Sequence, residues 1–146
     1  MNTHRNAHQG NKEITADILF IEWYEVGRIL LTRSTVTGRS VRIERALGMT
    51  FYDGEIIHIA PDFTICIRIK PCLCILLKTF DFDVLGYFCF EVGNRHLPLF
   101  WQKDGIALAY DGHVYPALKA KYGDVVCLET RTLFPTDGLK AFGKYS

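Results

Sequence analysis

Apolar and polar positions alternate at short range through residues 14–70, the pattern of β-strands. Ile18 and Phe20 interleave with Leu19, Ile21 and Trp23 in a nearly continuous apolar run, as in a buried strand. Residues 28–34 and 40–45 read as two further strands. The second sets Val41 and Ile43 against Arg42 and Glu44, and Thr37-Gly38 marks the turn between them. Asp53-Gly54 opens a strand over residues 55–59, Pro61-Asp62 breaks it, and Phe63–Ile69 resumes with Ile65, Ile67 and Ile69 on one face. Short strands with turn signals at this density predict a small all-β N-terminal domain.

The pattern changes at Lys70-Pro71, because the residue before a proline is driven to extended geometry. Residues 72–78 read as a buried strand. In residues 80–93, Val84, Phe88 and Val92 share one helical face with Leu85 and Cys89 beside them, while Phe88, Phe90 and Val92 also fit a strand. Length, and Asp81 and Asp83 at the start, decide for a helix. Gly93-Asn94 predicts its end, since both residues tolerate left-handed backbone, and Pro98 reinforces the stop. Residues 97–102 and 106–110 flank Lys103-Asp104-Gly105, a hairpin signature. Residues 114–122 read as a second helix, with Pro116 in its first turn and Gly123 at its end, and residues 124–133 as the last strand. The order is β-α-β-β-α-β, so the fold expected is α+β: the all-β domain over residues 14–70, then a ferredoxin-like domain over residues 71–135. Residues 1–13 are polar and expected to form a flexible leader, and residues 136–146 a frayed tail.

Composition narrows the function classes. With 49% hydrophobic and 23% charged residues, the chain has the material for an ordered core. A net charge of +1 is too balanced for a protein that grips nucleic acid by neutralising phosphates. No apolar run approaches the roughly 18 to 20 residues that span a bilayer, and residues 1–12 hold no hydrophobic signal core. The five cysteines, at 66, 72, 74, 89 and 127, are odd in number and show no disulfide framework, which points to the reducing cytoplasm.

The chemistry concentrates in residues 88–99, where a thiol, a carboxylate, an amide, a guanidinium and the imidazole of His96 lie between apolar flanks. One histidine makes a poor metal site and is commonly structural. If its apolar flank is a two-fold interface, however, two imidazoles converge on the axis, and imidazole suits nickel, copper and zinc. Few fixed ligands leave open positions, which favours passing a metal on. Asp111 and His113, two apart in a loop before the second helix, are a second candidate ligand pair, with helix entry as the competing role of Asp111. Cys72 and Cys74 share one strand face, either as buried packing or as soft ligands. His4 and His8 are weak candidate ligands in the leader, with a solvated tail as the favoured reading. Cys89 and His96 as nucleophile and base are two helical turns apart, roughly 10 Å along the axis, beyond direct hydrogen bonding unless the turn folds back.

The segment Cys89-Phe90-Glu91-Val92-Gly93-Asn94-Arg95-His96, followed by Leu97-Pro98-Leu99, strongly resembles the signature of the urease accessory protein UreE family, nickel metallochaperones. Residues 17–25, 51–57, 70–75 and 112–114 have counterparts as well, so the resemblance runs over residues 14–133. It implies a β-rich N-terminal domain likened to a chaperone peptide-binding domain and a ferredoxin-like metal domain. It implies a non-enzymatic homodimer in which the two copies of His96 bind nickel at the interface, with His113 as a secondary ligand. It also implies delivery of nickel to apo-urease with an accessory GTPase and the other maturation proteins, with zinc or copper able to take the same site in vitro. Two departures stand out: no histidine follows His113, and Asp111 stands where some members carry another histidine. One strong nickel per dimer is therefore expected, without a storage role. A peptide-binding module without metal transfer, and a Cys89–His96 thiol enzyme, are the alternatives.

Overall fold

The computed structural model describes residues 13–139. The chain divides into two compact units, Met1–Arg68 and Ile69–Ser146. The first is all-β. Strands β1 (Thr15–Ile21), β4 (Ile56–Ile59) and β5 (Phe63–Ile69) form a sheet in the order β1-β5-β4, while β2 (Leu30–Ser34) and β3 (Ser40–Glu44) form a two-stranded ribbon. Alternation places the core as the sequence predicts. Leu19 and Ile21 of β1 and Ile65, Ile67 and Ile69 of β5 are buried, while Arg68 faces out.

Three carboxylates buried in this unit are each held by an arginine. Asp17 accepts from the hydroxyls of Thr35 at 2.5 Å and Thr37 at 2.7 Å and from the Arg39 guanidinium at 2.7 Å. Burial pushes its carboxyl up, but these hydrogen bonds outweigh burial and hold it well below the ordinary range. Glu25 takes a two-pronged contact from Arg33 at 2.5 and 2.6 Å, with Arg28 at 3.0 Å. The Arg33 contact, working against burial, brings its pKa down to about 2. Glu55 pairs with Arg45. With every such carboxylate committed to a partner, these groups fix the strands and loops around them.

The second unit runs β6 (Cys72–Leu77), α1 (Phe82–Asn94), β7 (Phe100–Gln102), β8 (Gly105–Ala109), α2 (Tyr115–Tyr122) and β9 (Val126–Arg131). Its antiparallel sheet has the order β7-β8-β6-β9, the ferredoxin-like arrangement. β6 lies between β8 and β9, and Cys74, Ile75, Leu76 and Leu77 are all buried in it. Ile75, Leu77 and Val126 meet Leu85, Phe88 and Val92 of α1 and Leu118 of α2 in one core. The hairpin turns at Lys103-Asp104, with Gln102 paired to Gly105 at φ +150°. The two helices are tied by Glu91, whose carboxylate accepts from Lys121 at 3.1 Å and Tyr122 at 3.0 Å.

Two expectations change. β7 begins at Phe100, three residues later than predicted, because Pro98 has no N–H to give a ladder. The start of the tail is docked and not frayed: Gly138 bridges Phe100, the Leu139 N–H donates to the Leu99 carbonyl at 2.8 Å, and Leu139 packs on the core. Leu139 supplies the apolar anchor that a polar reading of the tail overlooks. The expected leader with His4 and His8, and the tail from residue 140, lie outside the described residues. Among the described residues, no helix is long and apolar enough to cross a membrane.

Candidate metal site

α1 starts where Asp81 caps it, its Oδ1 accepting from the amides of Asp83 at 3.0 Å and Val84 at 3.2 Å. It ends at Asn94, but neither Gly93 nor Asn94 takes the left-handed conformation. His96 does, at φ +58°, the one non-glycine residue with positive φ among the described residues. Arg95 forms the cap, its N–H bonding the carbonyls of Val92 and Gly93, and the His96 N–H donates to the Gly93 carbonyl at 3.0 Å. The position after a helix cap usually goes to glycine. An L residue there is strained, so the histidine side chain is retained at an energetic cost. Its side chain is exposed, and no side-chain hydrogen bond or ion pair engages the imidazole among the described residues.

The outer surface of α1 is aromatic. Phe82, Tyr87 and Phe90 project from the outer side of α1, 89%, 68% and 71% exposed. With Asp83 and Gly86 they line a hollow of about 340 Å³, and a side chain at Gly86 would meet nothing within 4 Å. The sequence reading used this helix's inner face and missed the outer one. The signal was there: Phe82, Gly86 and Phe90 recur every four residues opposite Leu85, Phe88 and Val92, so the helix is apolar on two sides.

Asp111 and His113 sit at the start of α2. The Asp111 carboxylate accepts from the His113 amide at 2.8 Å and the Val114 amide at 3.2 Å, through the same oxygen, and its carbonyl accepts from Tyr115. The helix-entry role is therefore occupied, by one carboxylate oxygen, and the His113 side chain is exposed. The Cys72 and Cys74 sulfurs lie 3.7 Å apart, but Cys74 is fully buried and burial pushes its thiol up to about 12. With no exposed surface, Cys74 packs as a core residue. Cys89 is half-buried against the core, and burial raises its pKa, whereas a nucleophilic cysteine needs the thiolate stabilised. No hydrogen bond links it to His96.

Among the described residues, no three histidine, cysteine, aspartate or glutamate side chains converge to hold a metal. At the end of α1 one chain offers the exposed imidazole of His96. That arrangement gives one nitrogen donor and leaves the rest of a coordination sphere to come from outside the chain.

No protein-family profile matches the chain. It is 33% identical over 107 residues to the urease accessory protein UreE of Acetivibrio thermocellus, covering 73% of this chain and 70% of that one. It is 32% identical over 101 residues to urease accessory protein UreE of Haemophilus influenzae, and spans about half of that protein's length, 55%. It is 30% identical over 105 residues to the same accessory protein of Flavobacterium johnsoniae, covering 71% of this chain and 64% of that one.

Proposed function

Because this chain belongs to the UreE family of urease accessory proteins, we propose that it is a nickel metallochaperone serving urease maturation. The observation that carries the reading is His96: a strained, exposed imidazole at the end of α1, where glycine would be the relaxed choice. In this reading the chain is a homodimer in the cytoplasm. The aromatic outer faces of two α1 helices meet, and two His96 nitrogens bind one nickel between them. Asp111, His113 or water complete the shell. Imidazole is a ligand of intermediate softness, so zinc and copper compete for the same nitrogens in vitro. Open coordination positions let apo-urease, presented with the accessory GTPase, take the ion by ligand exchange. No covalent bond to carbon is made or broken, so the protein acts as a carrier and not as an enzyme. The reading gives residues 71–135 the metal and residues 14–70 the contacts with partners.

Nickel titration by calorimetry tests this. The wild-type chain binds one tight nickel per dimer and His96→Ala none, with circular dichroism unchanged. Near-wild-type affinity in His96→Ala, or several tight sites per dimer, overturns the reading.

A further inference from the structure

We propose that Cys72 and Cys74 are a reversible thiol–disulfide switch on β6, whose closure releases the backbone hydrogen bond that anchors the loop carrying Asp111 and His113. The proposal concerns thiols and backbone, and it is independent of nickel binding.

Strand alternation puts residues 72 and 74 on one face of β6, and their sulfurs lie 3.7 Å apart as two reduced thiols. The two differ in access. Cys72 is half-buried, whereas Cys74 is fully buried and donates to the carbonyls of Cys72 and Arg131. Burial, and then the adjoining Cys72 sulfur, push the Cys74 thiol up to about 12. Cys72 therefore meets an oxidant first, and Cys74 resolves the product. The neighbouring Arg131 guanidinium is committed to Asp104 and Glu129, so its charge is not available to activate the pair as in a catalytic dithiol. Such a pair responds to sustained oxidation, the sensing role that disulfides take in a reducing compartment.

The oxidant is a low-molecular-weight disulfide, RSSR. The Cys72 thiol gives its proton to solvent, and its sulfur attacks RSSR. A mixed disulfide forms between Cys72 and RS, and the expelled thiolate takes up a proton. The Cys74 thiol then gives up its proton, and its sulfur attacks the Cys72 Sγ. The mixed disulfide breaks, the bond between Cys72 and Cys74 forms, and the second thiolate is protonated. The two cysteines lose two electrons and two protons, and RSSR becomes two RSH.

Closure deforms β6 at a defined place. Residues two apart in a strand hold their Cα atoms about 6.6 Å apart. That is near the upper limit for a disulfide, so the backbone between them must bend at Leu73, and the resulting bond is readily reduced. The Leu73 carbonyl accepts from the Tyr110 N–H at 2.9 Å, just beyond the pairing of Cys74 with Ala109 that ends the β6–β8 register. Tyr110 immediately precedes Asp111, so this bond ties the loop that leads into α2 to the sheet. Pro71, directly before β6, has no N–H to add to the ladder, and the bend falls near the strand's end.

The test treats the full reduced chain with millimolar oxidised glutathione and follows its thiols by alkylation, tryptic digestion and mass spectrometry. Residues 69–78 form one tryptic peptide holding both cysteines, because trypsin does not cut before Pro71. That peptide is expected to lose two hydrogens and to resist iodoacetamide until dithiothreitol is added. Hydrogen exchange at the Tyr110 amide is expected to quicken at least roughly tenfold on oxidation and to recover on reduction. Cys74→Ala is expected to stop at a glutathione adduct on Cys72, with Tyr110 exchange unchanged. Cys72→Ala, at the more accessible position, leaves the peptide unmodified, which keeps the test valid if the Cys74 variant does not fold. Two thiols that stay open to alkylation after oxidation overturn the proposal. So does a lasting glutathione adduct in the wild type, or a bond from either cysteine to Cys66, Cys89 or Cys127. A disulfide between Cys72 and Cys74 with unchanged Tyr110 exchange overturns the coupling to the loop.

Discussion

The backbone N–H of His96 donates to the Gly93 carbonyl at 3.0 Å, and this bond closes α1 with His96 in the left-handed region. An L side chain there costs about 1 kcal/mol or more relative to glycine. His96→Gly is therefore expected to raise the unfolding free energy of the second unit in urea titrations by about 1 kcal/mol, while abolishing tight nickel binding. His96→Ala keeps the strain and loses the metal. A glycine variant less stable than wild type shows that the imidazole supports the fold instead of serving function at the expense of stability.

The exposed aromatic face of α1 predicts a dimer that can be broken without unfolding the chain. Phe90 is 71% exposed, so Phe90→Glu removes no core contact and places a like charge against its own copy. Gly86→Arg fills the hollow between Phe82 and Phe90. Both variants are expected to run as monomers in light scattering, with native circular dichroism and nickel affinity reduced at least roughly tenfold, because half the ligands are gone. Monomers that retain tight nickel rule out a shared site.

The ferredoxin-like order was legible because its strands and helices have different hydrophobic periods, and Asp81, Pro116 and Gly123 punctuate them. The site was legible only in part. Spacing placed His96 after a helix stop but gave the left-handed conformation to Gly93-Asn94, since propensity favours those residues. Arg95 and His96 took the cap and the turn, and Gly93 and Asn94 stayed helical. Asp111 carried two roles of equal standing in sequence, and only hydrogen-bond geometry shows that one of its oxygens closes the turn leading into α2. The Asp17–Arg39, Glu25–Arg33 and Glu55–Arg45 pairs were invisible because each joins residues on different strands or loops through packing, which no local pattern encodes.

Glu25 is one of the buried groups that make stability depend on acid. Its folded pKa is about 2 against an ordinary 4.5, chiefly because Arg33 binds the ionised form. A depressed carboxylate pKa stabilises the fold above the unfolded value, and that stability drains away as pH falls from about 4.5 towards 2. The shift corresponds to at most roughly 3 to 4 kcal/mol before solvent screening. Glu25→Gln is expected to be less stable at neutral pH, with a flatter stability profile between pH 4.5 and 2 in urea titrations. Asp17 shifts in the same direction, so some acid dependence remains in the variant. An unchanged slope refutes the assignment.

Gly105 permits the β7–β8 hairpin. A Cβ there would sit 1.8 Å from the Leu77 carbonyl oxygen, on a backbone at φ +150°. Neither the β6 backbone nor the turn can yield without breaking the ladder between β6 and β8. Gly105→Ala is expected to destabilise the second unit by more than ~2 kcal/mol, read as a lowered thermal midpoint. A midpoint within a degree or two of wild type refutes the steric account.

Two roles are proposed for Asp111, turn closure and nickel ligation, and two substitutions separate them. Its Oδ1 accepts from the amides of His113 and Val114, which holds the entry to α2. Serine retains an oxygen that can close this turn but removes the carboxylate, and alanine removes both. Asp111→Ala is therefore expected to cost about 1 kcal/mol of stability, and Asp111→Ser only a few tenths. If the carboxylate helps complete the nickel shell, both variants weaken nickel equally, although their stabilities differ. Equal loss of nickel with unequal loss of stability is the expected result, measured by calorimetry and urea titration on the same preparations. Wild-type nickel affinity in Asp111→Ser assigns this residue to the helix alone and leaves His113 and water as the remaining ligands beside the two His96 imidazoles.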